Sequence, residues 1–218
     1  MRELAIERNV GIIALTESHL TEEILDAEIK MKNYEILRSD RNGTRKGGVV
    51  VYLRSNIAKK TRLLSSGSEE NHEWLNLVIE DVNIVFTVLY RPPRGEISNL
   101  RNYLETLRGD LSRLEETGLT LCMCGDLNMP TMNWQIINTQ GTAGLGVHVR
   151  TLLEFMEEKC LEQYVRTPTR AENILDVFLT DDPDVVVDVC VEDNSQSDHR
   201  LVFVETNIIE NTSIEDQN

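Results

Sequence analysis

The 218-residue sequence contains no apolar run close to the roughly 20 residues needed to span a bilayer, which excludes a membrane protein crossing by helices. Its first eight residues, Met1-Arg2-Glu3-Leu4-Ala5-Ile6-Glu7-Arg8, carry acids and no apolar h-region, so no secretory signal is visible. The Asn-X-Thr/Ser matches at Asn42 and Asn211 then carry no weight, and an intracellular location is expected, nuclear if the chain acts on chromosomal DNA. Cysteine is scarce. Cys122 and Cys124 alternate along an apolar run while Cys160 and Cys190 stand alone, so reduced core thiols are expected rather than a disulfide or metal framework. The sequence has neither GxGxxG nor GxxxxGK[ST], which argues against dinucleotide and nucleoside triphosphate binding. It also has no repeats and no interdomain linker. One domain over residues 1–206 is expected, followed by a polar, acidic tail over 207–218 that frays.

Positive charge is the other shortage. The net charge of −15 is awkward for a protein that must approach nucleic acid. The distribution is less hostile than the total. Arg38, Arg41, Arg45, Lys46, Arg54, Lys59, Lys60 and Arg62 face the single acid Asp40 in their stretch, whereas Asp181 to Asp193 carries six acids and no Lys or Arg. With a Debye length of about 8 Å at physiological salt, a basic surface can act independently of a distant acidic one. A solvated hairpin surface is the plainer reading of the same stretch.

What is present reads as alternating strands and helices. Val10–Leu15 is a buried strand following a helix end, and Tyr34–Leu37 and Val49–Leu53 are β-branched or apolar runs. Trp74–Ile79 and Val82–Tyr90 form a hairpin around Glu80-Asp81, stopped by Arg91-Pro92-Pro93 because proline cannot donate to a ladder. Ile97, Leu100, Leu104, Leu107, Leu111 and Leu114 make one apolar stripe, a helix closed by Gly118. A strand over Leu119–Cys124 follows, and then a polar loop from Met129 to Gly146. A second amphipathic helix has Val149, Leu152, Leu153, Phe155 and Met156 as inner residues. Strands over 174–180, 185–191 and 201–206 complete the pattern, which predicts a mixed-sheet α/β sandwich.

The residues suited to chemistry share one placement, at or just past strand ends: Glu17, Tyr90, Asp126, Asn128 and the Asp198-His199 pair. Asp176 is a charge inside the run Leu175-Asp176-Val177-Phe178-Leu179 and needs a partner there. Each has a plainer alternative: Glu17 as a turn carboxylate, Asp126 and Asn128 as turn formers after Gly125, His199 as a structural histidine. Together they offer hard oxygen ligands for Mg²⁺ and an Asp to orient a catalytic His.

Leu15-Thr16-Glu17-Ser18, Gly47-Gly48-Val49, Tyr90-Arg91-Pro92-Pro93, Gly125-Asp126-Leu127-Asn128, Asn173-Ile174-Leu175-Asp176 and Ser197-Asp198-His199 occur in this order. Together they resemble the endonuclease/exonuclease/phosphatase superfamily, and within it the apurinic-type endonuclease domain of non-LTR retrotransposons. The resemblance implies a DNase I-like fold, a four-layer α/β sandwich of two mixed β-sheets flanked by helices. It implies Mg²⁺-dependent phosphodiester hydrolysis, with Mn²⁺ as a substitute, acting on DNA beside a reverse transcriptase in the parent protein. By residue, it assigns the metal to Glu17 and Asp198, and attacking water and phosphate to Asp126 and Asn128. It places His199 at the phosphate with Asp176 orienting it, and Tyr90 as phosphate support. Arg41, Arg45, Lys46 and Arg91 are the expected DNA contacts. The sequence departs from the family in two ways: an opening strand bearing an Asn near the metal is expected upstream of the first helix, where this sequence begins, and position 93 is proline. Absence of that strand would weaken the site. Two other readings stay open: a phosphatase acting on inositol phosphates or sphingomyelin, and a catalytically silent binding module of the same fold.

Overall fold

Alternation along the strands sorts the apolar residues onto three cores. The computed structural model describes residues 2–41, 46–69, 72–114, 118–134 and 144–207. Arg45, both Asn-X-Thr/Ser sites, the tail beyond Asn207 and the middle of the polar loop lie outside the described residues. In chain order the elements are α1 (Arg2–Glu7), β1 (Ile12–Thr16), α2 (Asp26–Ile29), β2 (Tyr34–Ser39), β3 (Val49–Arg54), α3 (Ser55–Ala58), β4 (Thr61–Glu69), β5 (His72–Ile79) and β6 (Ile84–Tyr90). They continue as α4 (Ile97–Arg113), β7 (Thr120–Asp126), α5 (Val147–Glu158), β8 (Glu162–Gln163), β9 (Asp176–Thr180), β10 (Val186–Glu192) and β11 (Leu201–Thr206).

A six-stranded sheet runs β4-β5-β6-β7-β9-β8. β6 and β7 are parallel, joined by the α4 crossover, while their outer neighbours are antiparallel, so the sheet is mixed. Val85, Leu89, Leu121, Met123 and Leu179 point to one face, where Leu100, Leu104 and Leu107 of α4 and Leu152 and Phe155 of α5 cover them. Leu75, Leu77, Phe86, Val88 and Phe178 point to the other, against Val49, Val51 and Leu53 of β3. Val50 and Tyr52 turn the opposite way, towards Ala5 of α1 and Met31. The expected four-layer sandwich is present.

The second β layer comes in two pieces, β1-β3-β2 and β10-β11. Among the described residues β1 pairs with β3 alone and β11 with β10 alone. Both pieces lie on the same apolar core, through Ile12 and Ala14 on one side and Val189, Val191, Val202 and Val204 on the other. Arg8 joins them, ion-paired to Glu192 at 2.6 Å and standing 4.3 Å over the Phe203 ring.

Several details correct the sequence reading. β4 is a strand not expected from its Ser- and Gly-containing sequence; it pairs with β5 at the sheet edge through a register shift between Leu63 and Ser65. The hairpin turn is a 3₁₀ turn over Glu80–Val82 closed by left-handed Asn83 (φ 53°), so β6 begins at Ile84 rather than Val82. The start of the polar loop is core: Met129, Met132 and Trp134 are buried, and the Trp134 indole donates to the Ile174 carbonyl at 3.3 Å. Cys160 is exposed rather than a core thiol. None of the described helices is long and apolar enough to cross a membrane.

Candidate functional site

Parallel pairing of β6 with β7 brings their C-terminal ends, Tyr90 and Asp126, to the same end of the sheet. Antiparallel pairing of β7 with β9 sets Asp126 directly across from Asp176. That register places two carboxylates side by side, an arrangement favourable only if a cation, a proton or a hydrogen bond offsets their repulsion. Gly125 makes the approach possible: its φ is 134°, and a Cβ there would lie 2.0 Å from the Leu89 carbonyl oxygen. Any side chain would push β7 off β6.

Past the strand end the chain folds onto its own carboxylate. Asp126 accepts from the Asn128 backbone N–H at 2.9 Å and from its side-chain Nδ2 at 2.8 Å. Asn128 is left-handed (φ 47°) and also donates to the Arg91 carbonyl at 3.0 Å. These two residues therefore form the turn that the plainer reading allowed, and the same bonds hold Asp126 in one orientation.

His199 arrives from the loop between β10 and β11. Its Nδ1 lies 2.8 Å from Asp176 Oδ2, so Nδ1 carries the proton and donates to the carboxylate. Its Nε2 faces Asp126 Oδ2 at 3.9 Å. Ligand atoms of Asp126, Asp176 and His199 all lie within 4.8 Å of one another. Asp176's hydrogen bond, and then the charges of Asp176 and Asp126, raise His199 above its ordinary 6.5, against burial and Arg170. Burial, followed by the charge of Asp176, raises Asp126 well above the usual carboxylate range. This excess of negative charge in a dry setting is what a hard divalent cation would relieve, so the donor set fits one.

The remaining expected residues are distributed differently. Glu17 ends the β1 arm in a left-handed conformation (φ 51°) and accepts from the Tyr90 hydroxyl, which ties the second β layer to β6. Burial, then this bond, raises the Tyr90 phenol above its ordinary 10. Asp198 is exposed and pairs with Arg170 at 2.5 Å, outside the Asp126–Asp176–His199 group. Arg91 is buried, its guanidinium donating to the Leu127 and Asn128 carbonyls at 3.1 Å; it clamps the site loop and is not open to DNA. Arg41 grips the fully buried Glu73 through two nitrogens, at 2.6 and 3.1 Å. Lys46 is exposed. Four of the eight basic residues of the stretch are thus paired with acids: Arg38 with Asp26 and Asp40, Arg41 with Glu73, Lys60 with Asp81, and Arg62 with Glu80.

Two residues near the site have no counterpart in the sequence reading. Thr169 is wholly buried, and its hydroxyl accepts from the backbone N–H groups of Leu175 at 3.0 Å and Asp176 at 3.1 Å. Its carbonyl accepts from Arg200 N at 2.8 Å, so one residue braces both the strand bearing Asp176 and the loop bearing His199. Arg170 follows it. The only available signal was their position, a short polar stretch ahead of Asn173-Ile174-Leu175-Asp176. His72, buried beneath the Pro92–Gly95 turn, is lowered to about 4 by burial and then by the charges of Arg91, His148 and Arg41, so it is neutral.

Fold and site together define a four-layer α/β sandwich with an acid-and-histidine cluster at the strand ends. Residues 84–203, more than half of the chain, match the endonuclease–reverse transcriptase family, and the chain belongs to that family, within the endonuclease/exonuclease/phosphatase superfamily. No curated protein matches the sequence. Among solved structures, the endonuclease domain of TRAS1, a telomere-specific non-LTR retrotransposon, is similar at 14% identity and a TM-score of 0.63, over 94% of this chain and 90% of that one. An AP endonuclease from Archaeoglobus fulgidus is similar at 16% identity and a TM-score of 0.65, over 95% and 93%. The 3′ phosphatase NExo from Neisseria, solved with a product DNA hairpin, is similar at 13% identity and a TM-score of 0.66, over 94% and 92%. At these identities the likeness is one of fold.

Proposed function

We propose that this chain is a divalent-metal-dependent phosphodiesterase that nicks DNA, of retrotransposon origin, its nick priming reverse transcription. The observation that carries the reading is the Asp126–Asp176–His199 cluster, assembled at converging strand ends. The family's endonuclease–reverse transcriptase description and the TRAS1 likeness support the DNA substrate and a reverse transcriptase as partner.

Asp126 and Asp176, with Glu17 at the rim, are the residues that would hold Mg²⁺, or Mn²⁺ in its place. Such a cation supplies Lewis-acid stabilisation of charge on the phosphate oxygens. Asp176 holds His199 by Nδ1, which leaves Nε2 free to donate to a phosphate oxygen or exchange a proton with water. Asp126 Oδ2 lies 3.9 Å from Nε2, close enough for one water to donate to the carboxylate and give a proton to the imidazole. Asn128 keeps that carboxylate aligned. The Glu17–Tyr90 bond keeps the β1 arm against the cluster.

Nicking of supercoiled plasmid in Mg²⁺ tests the reading. Relaxed circles should appear with the unsubstituted chain and fall about 10²–10⁴-fold with His199→Ala, without loss of fold by circular dichroism. Undiminished nicking by His199→Ala would defeat it. Hydrolysis of inositol phosphates without nicking would replace it with a phosphatase, and metal-insensitive DNA binding without hydrolysis with a silent module.

A further inference from the structure

The site is crowded with acids, yet the substrate class proposed for it is an anion. Glu17, Asp126, Asp176 and Asp198 all stand at or beside it, and a phosphodiester adds another negative charge. Two arginines that the sequence offered for contact are spent elsewhere: Arg91 on buried carbonyls and Arg41 on Glu73. Arg170 is placed differently. Its side chain is 43% exposed, and it meets Asp198, the residue next to His199.

The backbone beneath Arg170 is fixed. Arg170 N donates to the Asn173 carbonyl at 3.0 Å, and Asn173 N returns a bond to the Arg170 carbonyl at 2.9 Å. Thr169 N donates to the same Asn173 carbonyl at 2.8 Å, and the Thr169 hydroxyl ties the turn to Asp176. The guanidinium is therefore carried on a short closed turn, held from below by the strand that orients His199 and from the side by Asp198. A guanidinium has five N–H donors in a planar fork; the contact with Asp198 through Nη2 leaves others for a phosphate.

We propose that Arg170 is the phosphate-binding residue of this site, with Asp198 as the tether that aims it. The inference rests on the phosphodiesterase reading and names a cationic side chain for the phosphate beside the metal that reading already invokes. Arg170 meets a non-bridging oxygen of the nucleic-acid backbone beside His199, and Asp198 positions it rather than serving as a metal ligand. A guanidinium can hold Asp198 with one nitrogen and meet a phosphate oxygen with another, which favours an arginine over a lysine here.

The test separates this inference from the reading beneath it. In a His199→Ala background, binding of a fluorescent DNA duplex is followed by anisotropy across a salt series. Removing one phosphate contact should reduce the slope of log affinity against log salt by about 0.9. Arg170→Ala should therefore weaken binding and flatten the slope by that amount, while Arg170→Lys keeps the slope and regains part of the affinity. Unchanged affinity and slope in Arg170→Ala overturn the inference and leave the nuclease reading standing. Should the His199→Ala chain bind no duplex at all, the nucleic-acid reading fails, and Arg170 is judged on bis(p-nitrophenyl) phosphate with the unsubstituted site. There, Arg170→Ala should raise KM several-fold with a smaller change in kcat, and an unchanged KM, or no hydrolysis by the parent chain, overturns the inference.

Discussion

The six-stranded sheet and the second β layer share one apolar core but are finished to different degrees. Every residue of β5 and β6 is buried, because helices cover one face and β3 the other. In β1 only Ile13 is buried, and β11 has no buried residue at all. The difference follows from pairing: β5 and β6 have neighbours on both edges, whereas among the described residues β1 and β11 each have one. The site draws on both halves. Tyr90, Asp126, Asn128 and Asp176 come from the closed sheet, while Glu17, Asp198 and His199 come from the divided layer. Rigid acids on one side meet a more exposed arm and loop on the other, joined by the Glu17–Tyr90 and His199–Asp176 bonds. Elements with fewer buried contacts open more readily, so the divided layer is where the site should come apart first.

The largest expected effect is on the acid stability of the closed sheet. His72 in β5 is lowered from 6.5 to about 4, so the folded state resists a proton that the unfolded chain accepts. Stability therefore falls as pH drops from 6.5 towards 4, by up to about 3 kcal/mol from this residue. Urea melts across that range should show the decline, and His72→Phe should remove most of it; an equally steep decline in the variant would place the acid sensitivity elsewhere. A matched pair of valines sharpens the contrast. Val88 and Val202 face the same core, but Val88 is fully buried and Val202 only partly. Val88→Ala should cost about 2 kcal/mol and Val202→Ala less than about 1 kcal/mol in chemical denaturation. Equal costs would mean that the divided layer is as well closed as the sheet. The smallest effect belongs to Arg8, whose pair with Glu192 is part-exposed and whose ring contact lies on the same surface. Arg8→Ala should lower stability only slightly, and hydrogen exchange should quicken in β10 and β11 before β5 to β7. Uniform quickening across both halves would mean that they open as one unit.

Much of the fold was legible because burial on a sheet or helix face leaves a period. The run over Val49–Leu53 and the leucine stripe from Ile97 became β3 and α4 because each had an apolar face to hide. β4 was illegible for the opposite reason: an edge strand keeps one side in water and tolerates Ser65, Ser66 and Gly67. Met129, Met132 and Trp134 sit in irregular chain, where no period marks a buried residue, so the loop read as polar. The acids and histidine at strand ends could be picked out, because a charge adjoining an apolar run is conspicuous. The fates of Arg41, Arg91 and Asp198 could not, since each was decided by a partner distant in sequence: Glu73, the Leu127 and Asn128 carbonyls, and Arg170.

The chemical inventory and most of the elements that carry it follow from residue type and local periodicity, which reside in neighbouring positions. Register was settled only by the tertiary structure. Pairing β7 with β9 put Asp126 opposite Asp176, and the β10–β11 loop brought His199 to 2.8 Å from that second carboxylate. Asp126 and Asp176 are 50 residues apart in sequence, and Asp176 and His199 are 23 apart, so neither meeting is set by neighbouring positions. The same long-range packing selected which cations stayed exposed at the site, turning Arg91 inward and leaving Arg170 at the surface beside His199.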